Sequence, residues 1–112
     1  MKLFWLFTAL TVLAGCSDAT PISLTNRSRA TLDDVVVAGS GFERAVGSIA
    51  PGNTAIVRVR PSGESGLKLS FRSGSKSFDL PMQGYFEGGG SYTVKVVVGP
   101  DLNATVDASL RY

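Results

Sequence analysis

The sequence contains no histidine and only one cysteine, Cys16, among its 112 residues. Without an imidazole, Ser-His-Asp and Cys-His catalysis are excluded, because both use histidine as the base that activates the nucleophile. A single thiol can form neither an internal disulfide nor a zinc site built from several thiolates. The hydrophobic core must therefore stabilise the fold without a covalent crosslink.

Carboxylates are the side chains that remain for acid–base catalysis. They are spread singly through predicted loops and strand faces, as Glu43, Glu64, Asp79 and Glu87. A glycosidase-type reaction needs two carboxyl groups at a defined separation, and the sequence does not show such a pair. We therefore expect no enzyme activity, and a convergent pair of acids is the observation that would reverse this expectation.

The glycine-rich and acidic segments lack the residues that would make them ligand sites. Residues 39–41 are followed by Arg44 and by no predicted helix, so they do not match a dinucleotide-binding fingerprint. Residues 88–90 lack the Lys-Ser/Thr of a phosphate loop. Residues 101–103 offer two oxygen ligands, but no further acids follow as in an EF-hand. We expect no cofactor and no metal site.

The charge of the chain is nearly balanced. Eleven basic and nine acidic residues give a net charge of +2, and removal of Lys2 with a signal peptide would leave +1. Basic residues do not cluster in the sequence, so the strong basic footprint of a nucleic-acid-binding domain is missing. We expect no nucleic-acid partner.

The amino-terminal residues have the pattern of an export signal. Lys2 supplies the positive charge, residues 3–13 are apolar except for Thr8 and Thr11, and Ala14 and Gly15 are small. A transmembrane helix needs about 20 apolar residues, and this run is shorter. The pattern predicts a signal peptide over residues 1–15.

The segment Leu13-Ala14-Gly15-Cys16 resembles the lipobox of bacterial lipoproteins. The resemblance implies that the Cys16 thiol receives a diacylglyceryl group and that a peptidase cuts just before Cys16. In many members of this class the new amine is then acylated, and two or more chains hold a protein stably on a membrane. Ser17 after the cysteine implies, in a Gram-negative host, the outer membrane facing the periplasm.

Two other interpretations of short motifs are open. Ser17-Asp18-Ala19 also fits ordinary small-x-small cleavage, which would release a soluble secreted protein without Cys16. The triplets that start at Asn26 and Asn103 fit the glycosylation acceptor pattern. We interpret both asparagines as turn residues.

After a lipidated tether at residues 16–21, residues 22–112 are predicted to form one all-β domain. Segments rich in β-branched and aromatic residues alternate with Gly, Ser, Pro and Asn every eight to twelve residues, which is typical of a sandwich or barrel. The predicted strands are residues 22–26, 34–38, 42–49, 54–60, 67–72, 76–80, 92–98 and 104–111. We expect a small antiparallel β-sandwich, immunoglobulin-like or transthyretin-like, with about seven or eight strands; a small barrel is the alternative.

Local patterns predict the orientation of several segments. Ala55, Val57 and Val59 alternate with polar residues and predict a half-buried strand. Residues 35–37 are three valines in a row, which indicates a central strand covered on both faces. Residues 50–53 fit a type II turn, and residues 73–75 a hairpin connection.

Two surfaces are candidates for partner binding. If residues 54–60 pair with residues 67–72, four basic residues share one outward face and bind an anionic partner; these are Arg58, Arg60, Lys68 and Arg72. A solvated face that discourages aggregation is the alternative. Tyr85, beside the triple glycine, is the second candidate, since aromatic residues often dominate interfaces. Its neighbour Phe86 is expected in the core.

These observations predict a noncatalytic envelope lipoprotein that binds an envelope protein or a cell-wall partner at the membrane surface. The alternative is a periplasmic enzyme inhibitor or immunity-type protein that inserts a loop into a cleft. Residues 88–91 and 61–66 are the candidate inhibitory loops.

Overall fold

A computed structural model describes residues 19–111, and all of their regular secondary structure is β-strand. The strands are β1 (Thr20–Asn26), β2 (Leu32–Gly39), β3 (Phe42–Ile49), β4 (Thr54–Val59), β5 (Glu64–Ser73), β6 (Lys76–Asp79), β7 (Gln83–Glu87), β8 (Tyr92–Val98) and β9 (Ala104–Leu110). This range includes no helix with the length and apolar character needed to span a bilayer. The predicted signal peptide and Cys16 lie outside the described residues.

The strands form two sheets that pack as a sandwich, which confirms the predicted fold class. One sheet has the order β4-β1-β8-β9. The other has the order β3-β2-β5-β6, and β7 also pairs with β5. Two details differ from the prediction: nine strands are present, and β1 runs parallel to β8. A parallel pair needs a long connection, and here that connection contains the whole second sheet.

The core lies between the sheets and consists mainly of aliphatic side chains, with two phenylalanines, from alternate strand positions. In β1 and β8 the buried residues fall two apart, as the pleat of a strand requires. The largest fully buried side chain is Phe86. The other fully or nearly buried apolar residues of the core cluster are Ile22, Leu24, Leu32, Val35, Val37, Ile49, Val59, Leu67, Leu69, Phe71, Val94, Val96, Val98 and Ala104.

The direction of β1 defines two ends of the sandwich. At the Thr20 end, Thr20 pairs with Val59 of β4. The loop after β4 meets the turn after β2 at this end, where the Ser62 amide donates to the Ser40 carbonyl over 2.9 Å. At the Asn26 end are the loops at residues 27–31, 50–53 and 99–103.

A buried asparagine holds the Asn26 end together. The Asn26 Nδ2 group donates to the carbonyls of Ala30 at 2.8 Å and Ile49 at 2.9 Å. Its Oδ1 atom accepts from the Ser28 amide at 2.9 Å and the Ser28 hydroxyl at 2.7 Å. Asn26 is fully buried, so these four bonds replace water completely. One side chain thereby connects the last residue of β1 to the next loop and to β3.

Both predicted turns are present. The amide of Asn53 donates to the carbonyl of Ala50 over 3.1 Å, and Gly52 has a φ of 83°, as a type II turn requires. The Gly52 amide also donates to the backbone carbonyl of Asn26. In the second sheet, β5 and β6 form the expected hairpin, with Ser73 opposite Lys76.

Several strand boundaries differ from the prediction by one to three residues, and one strand is additional. β1 begins at Thr20 and Ala19 is already buried, so the tether predicted over residues 16–21 is too long at its carboxyl end. Thr20 and Pro21 join the strand because β4 offers them partners. The sequence does not predict β7, because Gly84 interrupts its short pattern and the segment has no longer run of β-branched or aromatic residues.

Candidate interaction surfaces

The four predicted basic residues do not share a face, so that prediction is wrong. Arg58 lies on β4, which pairs with β1 in the first sheet. Lys68 and Arg72 lie on β5, which pairs with β2, β6 and β7 in the second sheet. Alternation correctly predicts that Arg58, Lys68 and Arg72 point outward, but the outward faces of the two sheets point in opposite directions. Arg60 follows β4 at the Thr20 end.

The two cations of β5 form ion pairs with acids of the same domain. Lys68 Nζ lies 3.0 Å from Asp79 Oδ1, and Arg72 Nη2 lies 2.9 Å from Asp34 Oδ2. All four side chains are largely exposed, so each pair contributes less than about 1 kcal/mol. These ion pairs neutralise the positive charge on β5 that would attract an anionic partner.

Tyr85 and Phe86 point to opposite sides of β7. Phe86 is fully buried, and its ring centroid lies 6.4 Å from that of Phe42. The expectation of a core position for Phe86 is confirmed. Tyr85 is 49% exposed. Because its neighbour is fixed in the core, the Tyr85 side chain is presented on the outer face of the second sheet by a rigid strand.

The Tyr85 hydroxyl is held by the carboxylate of Glu87, two residues along the same strand face. The hydroxyl donates to Glu87 Oε2 over 2.5 Å. This hydrogen bond, with smaller effects of partial desolvation and of the charge on Glu64, raises the pKa of Tyr85 to about 12. Tyr85 is therefore a fixed, neutral hydrogen-bond donor over the whole physiological pH range.

Glu64 and Glu87 are directly opposite each other on β5 and β7. Both side chains are exposed, and like charges in opposite positions destabilise a strand pair. The sequence indicates that these acids are isolated, because they are distant in sequence and β7 has no clear strand pattern. Their proximity does not make a metal site, since within residues 19–111 no three acidic side chains converge on one point.

An exposed methionine extends this surface. Met82 is 55% exposed and lies over Gly66 of β5, where a Cβ atom would be only 2.6 Å from Met82 Cγ. Because glycine has no side chain, position 66 leaves room for the Met82 side chain to pack against the sheet. We call the outer surface formed by Glu64, Gly66, Met82, Tyr85 and Glu87 the Tyr85 patch.

The two candidate inhibitory loops contact each other at the Thr20 end. The Gly88 amide donates to the Gly63 carbonyl over 3.0 Å, and a Cβ atom on Gly88 would lie 2.4 Å from the Pro61 carbonyl oxygen. Pro61 is buried. β5 begins at Glu64, so the loop predicted over residues 61–66 is shorter than expected.

The two asparagines of the glycosylation patterns differ in position. Asn26 is the buried last residue of β1 rather than a turn residue, and both of its amide hydrogens are used. Asn103 is exposed in the turn at residues 99–103. There its backbone amide and side chain donate to Asp101 and lower the pKa of that carboxyl group.

The comparisons with known proteins support the fold alone. No protein-family model and no curated protein sequence matches the chain. The chain is similar to a solved structure described as the NMR structure of a protein from Eubacterium rectale. The TM-score is 0.54 with 17% sequence identity, over 84% of this chain and 91% of the other. At that identity the likeness concerns the arrangement of the strands.

Proposed function

We propose that this protein is a lipid-anchored lipoprotein of the bacterial envelope whose β-sandwich is a noncatalytic binding module. The observation that carries the proposal is the segment Leu13-Ala14-Gly15-Cys16 after an apolar run with a positive start. The anchor is a diacylglyceryl group on Cys16, in a Gram-negative host on the outer membrane with the sandwich in the periplasm.

The position of β1 supports an anchor close to the domain. Thr20 is already fully buried in the sandwich, only four residues after Cys16. An extended chain spans at most about 3.3–3.6 Å per residue, so the backbone of Cys16 can lie no more than about 15 Å from the start of β1. A bilayer holding that lipid would lie beside the Thr20 end, and the Asn26 end would point away from it.

The composition of the described domain supports binding rather than catalysis. With no histidine and no thiol in residues 19–111, an active site would depend on carboxylates. Glu64 and Glu87 are the acids that the fold brings into register, and they lie on an exposed strand face. A catalytic acid usually needs a desolvated site that tunes its pKa, whereas an exposed face suits contact with another protein.

Metabolic labelling tests the anchor. Cells expressing the wild-type chain or Cys16→Ala are grown with a clickable palmitate analogue, and the protein is then isolated and assayed for label. We expect label on the wild type and complete loss of label in Cys16→Ala. Ser17→Ala is the matched control and should remain labelled. Equal labelling of the wild type and Cys16→Ala would contradict the proposal.

A periplasmic inhibitor or immunity-type protein is the second candidate function. It is supported by the contact between residues 61–63 and 88–90, because loops held in one conformation lose little entropy on entering a cleft. Tight binding to an isolated periplasmic enzyme, lost when residues 88–91 are replaced by a two-residue turn, would favour this function. Binding that depends on the strand face would favour the first proposal.

A further inference from the structure

We infer that the Tyr85 patch binds a partner protein through a segment that carries lysine or arginine next to an apolar side chain. This inference names the partner chemistry of the binding module and rests on that proposed function. It places the contact on the outer face of β5 and β7, with no requirement for the lipid.

The charge of the patch determines the sign of the partner. Glu64 and Glu87 are opposite each other on neighbouring strands and both are exposed. Their mutual repulsion is a cost that a cation between them would remove. The Tyr85 hydroxyl occupies one oxygen of Glu87, and the other oxygen can accept from an incoming ammonium or guanidinium group.

The apolar side chains of the patch indicate that the partner must also carry an apolar group. Met82 and Tyr85 are two of the four large hydrophobic side chains that are strongly exposed within residues 19–111. Tyrosine and methionine are enriched at protein interfaces, and a tyrosine ring also attracts cations to its face. A partner that combined a cation with an apolar group would therefore contact every side chain of the patch.

The strand that carries Tyr85 and Glu87 is anchored in the core, which favours binding. Tyr85 and Glu87 flank the fully buried Phe86, so β7 cannot rotate without opening the core. The hydrogen bond to Glu87 also restricts the Tyr85 side chain. Side chains that are already ordered lose little conformational entropy when a partner binds.

The basic residues of β5 show the opposite arrangement. Lys68 and Arg72 each contact an acid of the same sheet, Asp79 and Asp34 respectively. Those charges are paired within the domain, whereas Glu64 and Glu87 each lie opposite a like charge. The acidic face is thus the better candidate for electrostatic recognition.

A peptide titration tests the inference on the full chain in a nonionic detergent. The probe is acetyl-Gly-Lys-Leu-Lys-Phe-Lys-Gly-amide, and binding is followed by backbone amide chemical shifts. Two control peptides replace either the lysines with glutamate or the leucine and phenylalanine with serine. The test variant is Glu64→Gln with Glu87→Gln, and the control is Glu43→Gln, which removes an exposed acid from β3 at the other edge of the same sheet.

We expect saturable shifts at residues 64–66 and 82–87, and weaker binding of both control peptides. The double variant should bind the probe about three- to tenfold more weakly, as expected for the loss of two exposed charge contacts. Glu43→Gln should bind as the wild type does. Unchanged affinity in the double variant, equal binding of the acidic peptide, or no saturable shift in the patch would overturn the inference.

The two proposals fail independently. The titration contains no membrane, so loss of peptide binding would remove the partner assignment and leave palmitate labelling as it is. Absence of label on Cys16 would remove the anchor and leave the titration result as it is.

Discussion

The two ends of the sandwich use polar side chains in opposite ways. At the Asn26 end, a buried asparagine makes four hydrogen bonds that tie together β1, β3 and the loop between β1 and β2. At the Thr20 end, the opposed Glu64 and Glu87 are exposed, and the Thr20 hydroxyl is buried without a hydrogen-bond partner among the described residues. The Asn26 end pairs its buried polar side chain fully, whereas the Thr20 end retains an unpaired buried hydroxyl and two like charges in opposite positions.

The largest expected effect of a substitution in this comparison is at Asn26. Asn26→Ala removes a hydrogen-bond partner from the buried Ile49 carbonyl and another from the Ser28 hydroxyl. A buried polar group that is left unpaired costs about 1–3 kcal/mol. We expect the free energy of unfolding in urea to fall by about 3 kcal/mol. Asn103→Ala, in an exposed turn, should change it little. Equal effects of the two substitutions would show that Asn26 does not hold its end together.

A substitution at Gly88 tests the loop contact at the Thr20 end. In Gly88→Ala, the new Cβ atom would meet the backbone oxygen of Pro61, which cannot move as a flexible side chain would. Overpacking of this kind costs about 1–3 kcal/mol, and we expect a loss of about 2 kcal/mol in urea unfolding. Gly99→Ala, where the nearest contacts are of ordinary length, is the control. If Gly88→Ala is as stable as the wild type, the two loops are not packed as described.

The buried hydroxyl of Thr20 predicts a substitution that stabilises the protein. Thr20→Val keeps the β-branched shape and removes a polar atom that has no partner among the described residues. We expect the free energy of unfolding to rise by about 1 kcal/mol. Thr25→Val removes a hydroxyl that bonds to Thr54 at an exposed position and should give no comparable gain. A clear loss of stability in Thr20→Val would mean that the hydroxyl has a partner.

The smallest expected effect concerns the pKa of the Tyr85 hydroxyl, and it is measured by following tyrosine absorbance as the pH is raised. In the wild type, one tyrosine should ionise with a pKa near 12, and Glu87→Gln should bring that pKa back toward 10. Tyr85→Phe should remove this transition. A wild type in which all tyrosines ionise near pH 10 would contradict the Tyr85–Glu87 hydrogen bond.

The same bond has a defined effect on stability. Since the pKa of Tyr85 is raised above its unfolded value, its stabilising effect is fully present below pH 10 and is lost as the pH rises from 10 toward 12. The difference in stability between the wild type and Tyr85→Phe should therefore decrease across that interval.

Sequence patterns predicted which way most strands face, and eight of the strands were located. Alternation in β4 places Ala55, Val57 and Val59 toward the core as expected. Val36 is an exception, because β2 is central in its sheet but its outer face is not covered by another layer of the described residues. Three valines in a row indicate a central strand without indicating how many layers surround it.

Strand partners could not be predicted, and the errors at the site follow from this. The pattern of β4 and β5 is compatible with a hairpin between them, yet β4 pairs with β1 and β5 with β2. The opposed pair of Glu64 and Glu87 depends on the register of β5 with a strand that has no clear pattern. The role of Asn26 depends on the carbonyl of Ile49, which only the folded chain brings near.

The amino terminus of the mature protein tests the central claim most directly. The native protein is isolated from the envelope fraction of its host, digested, and its first peptide is analysed by mass spectrometry. We predict a peptide that begins at Cys16 and carries two or three acyl chains. A protein that begins at Thr20, without lipid and in the soluble fraction, would contradict the account.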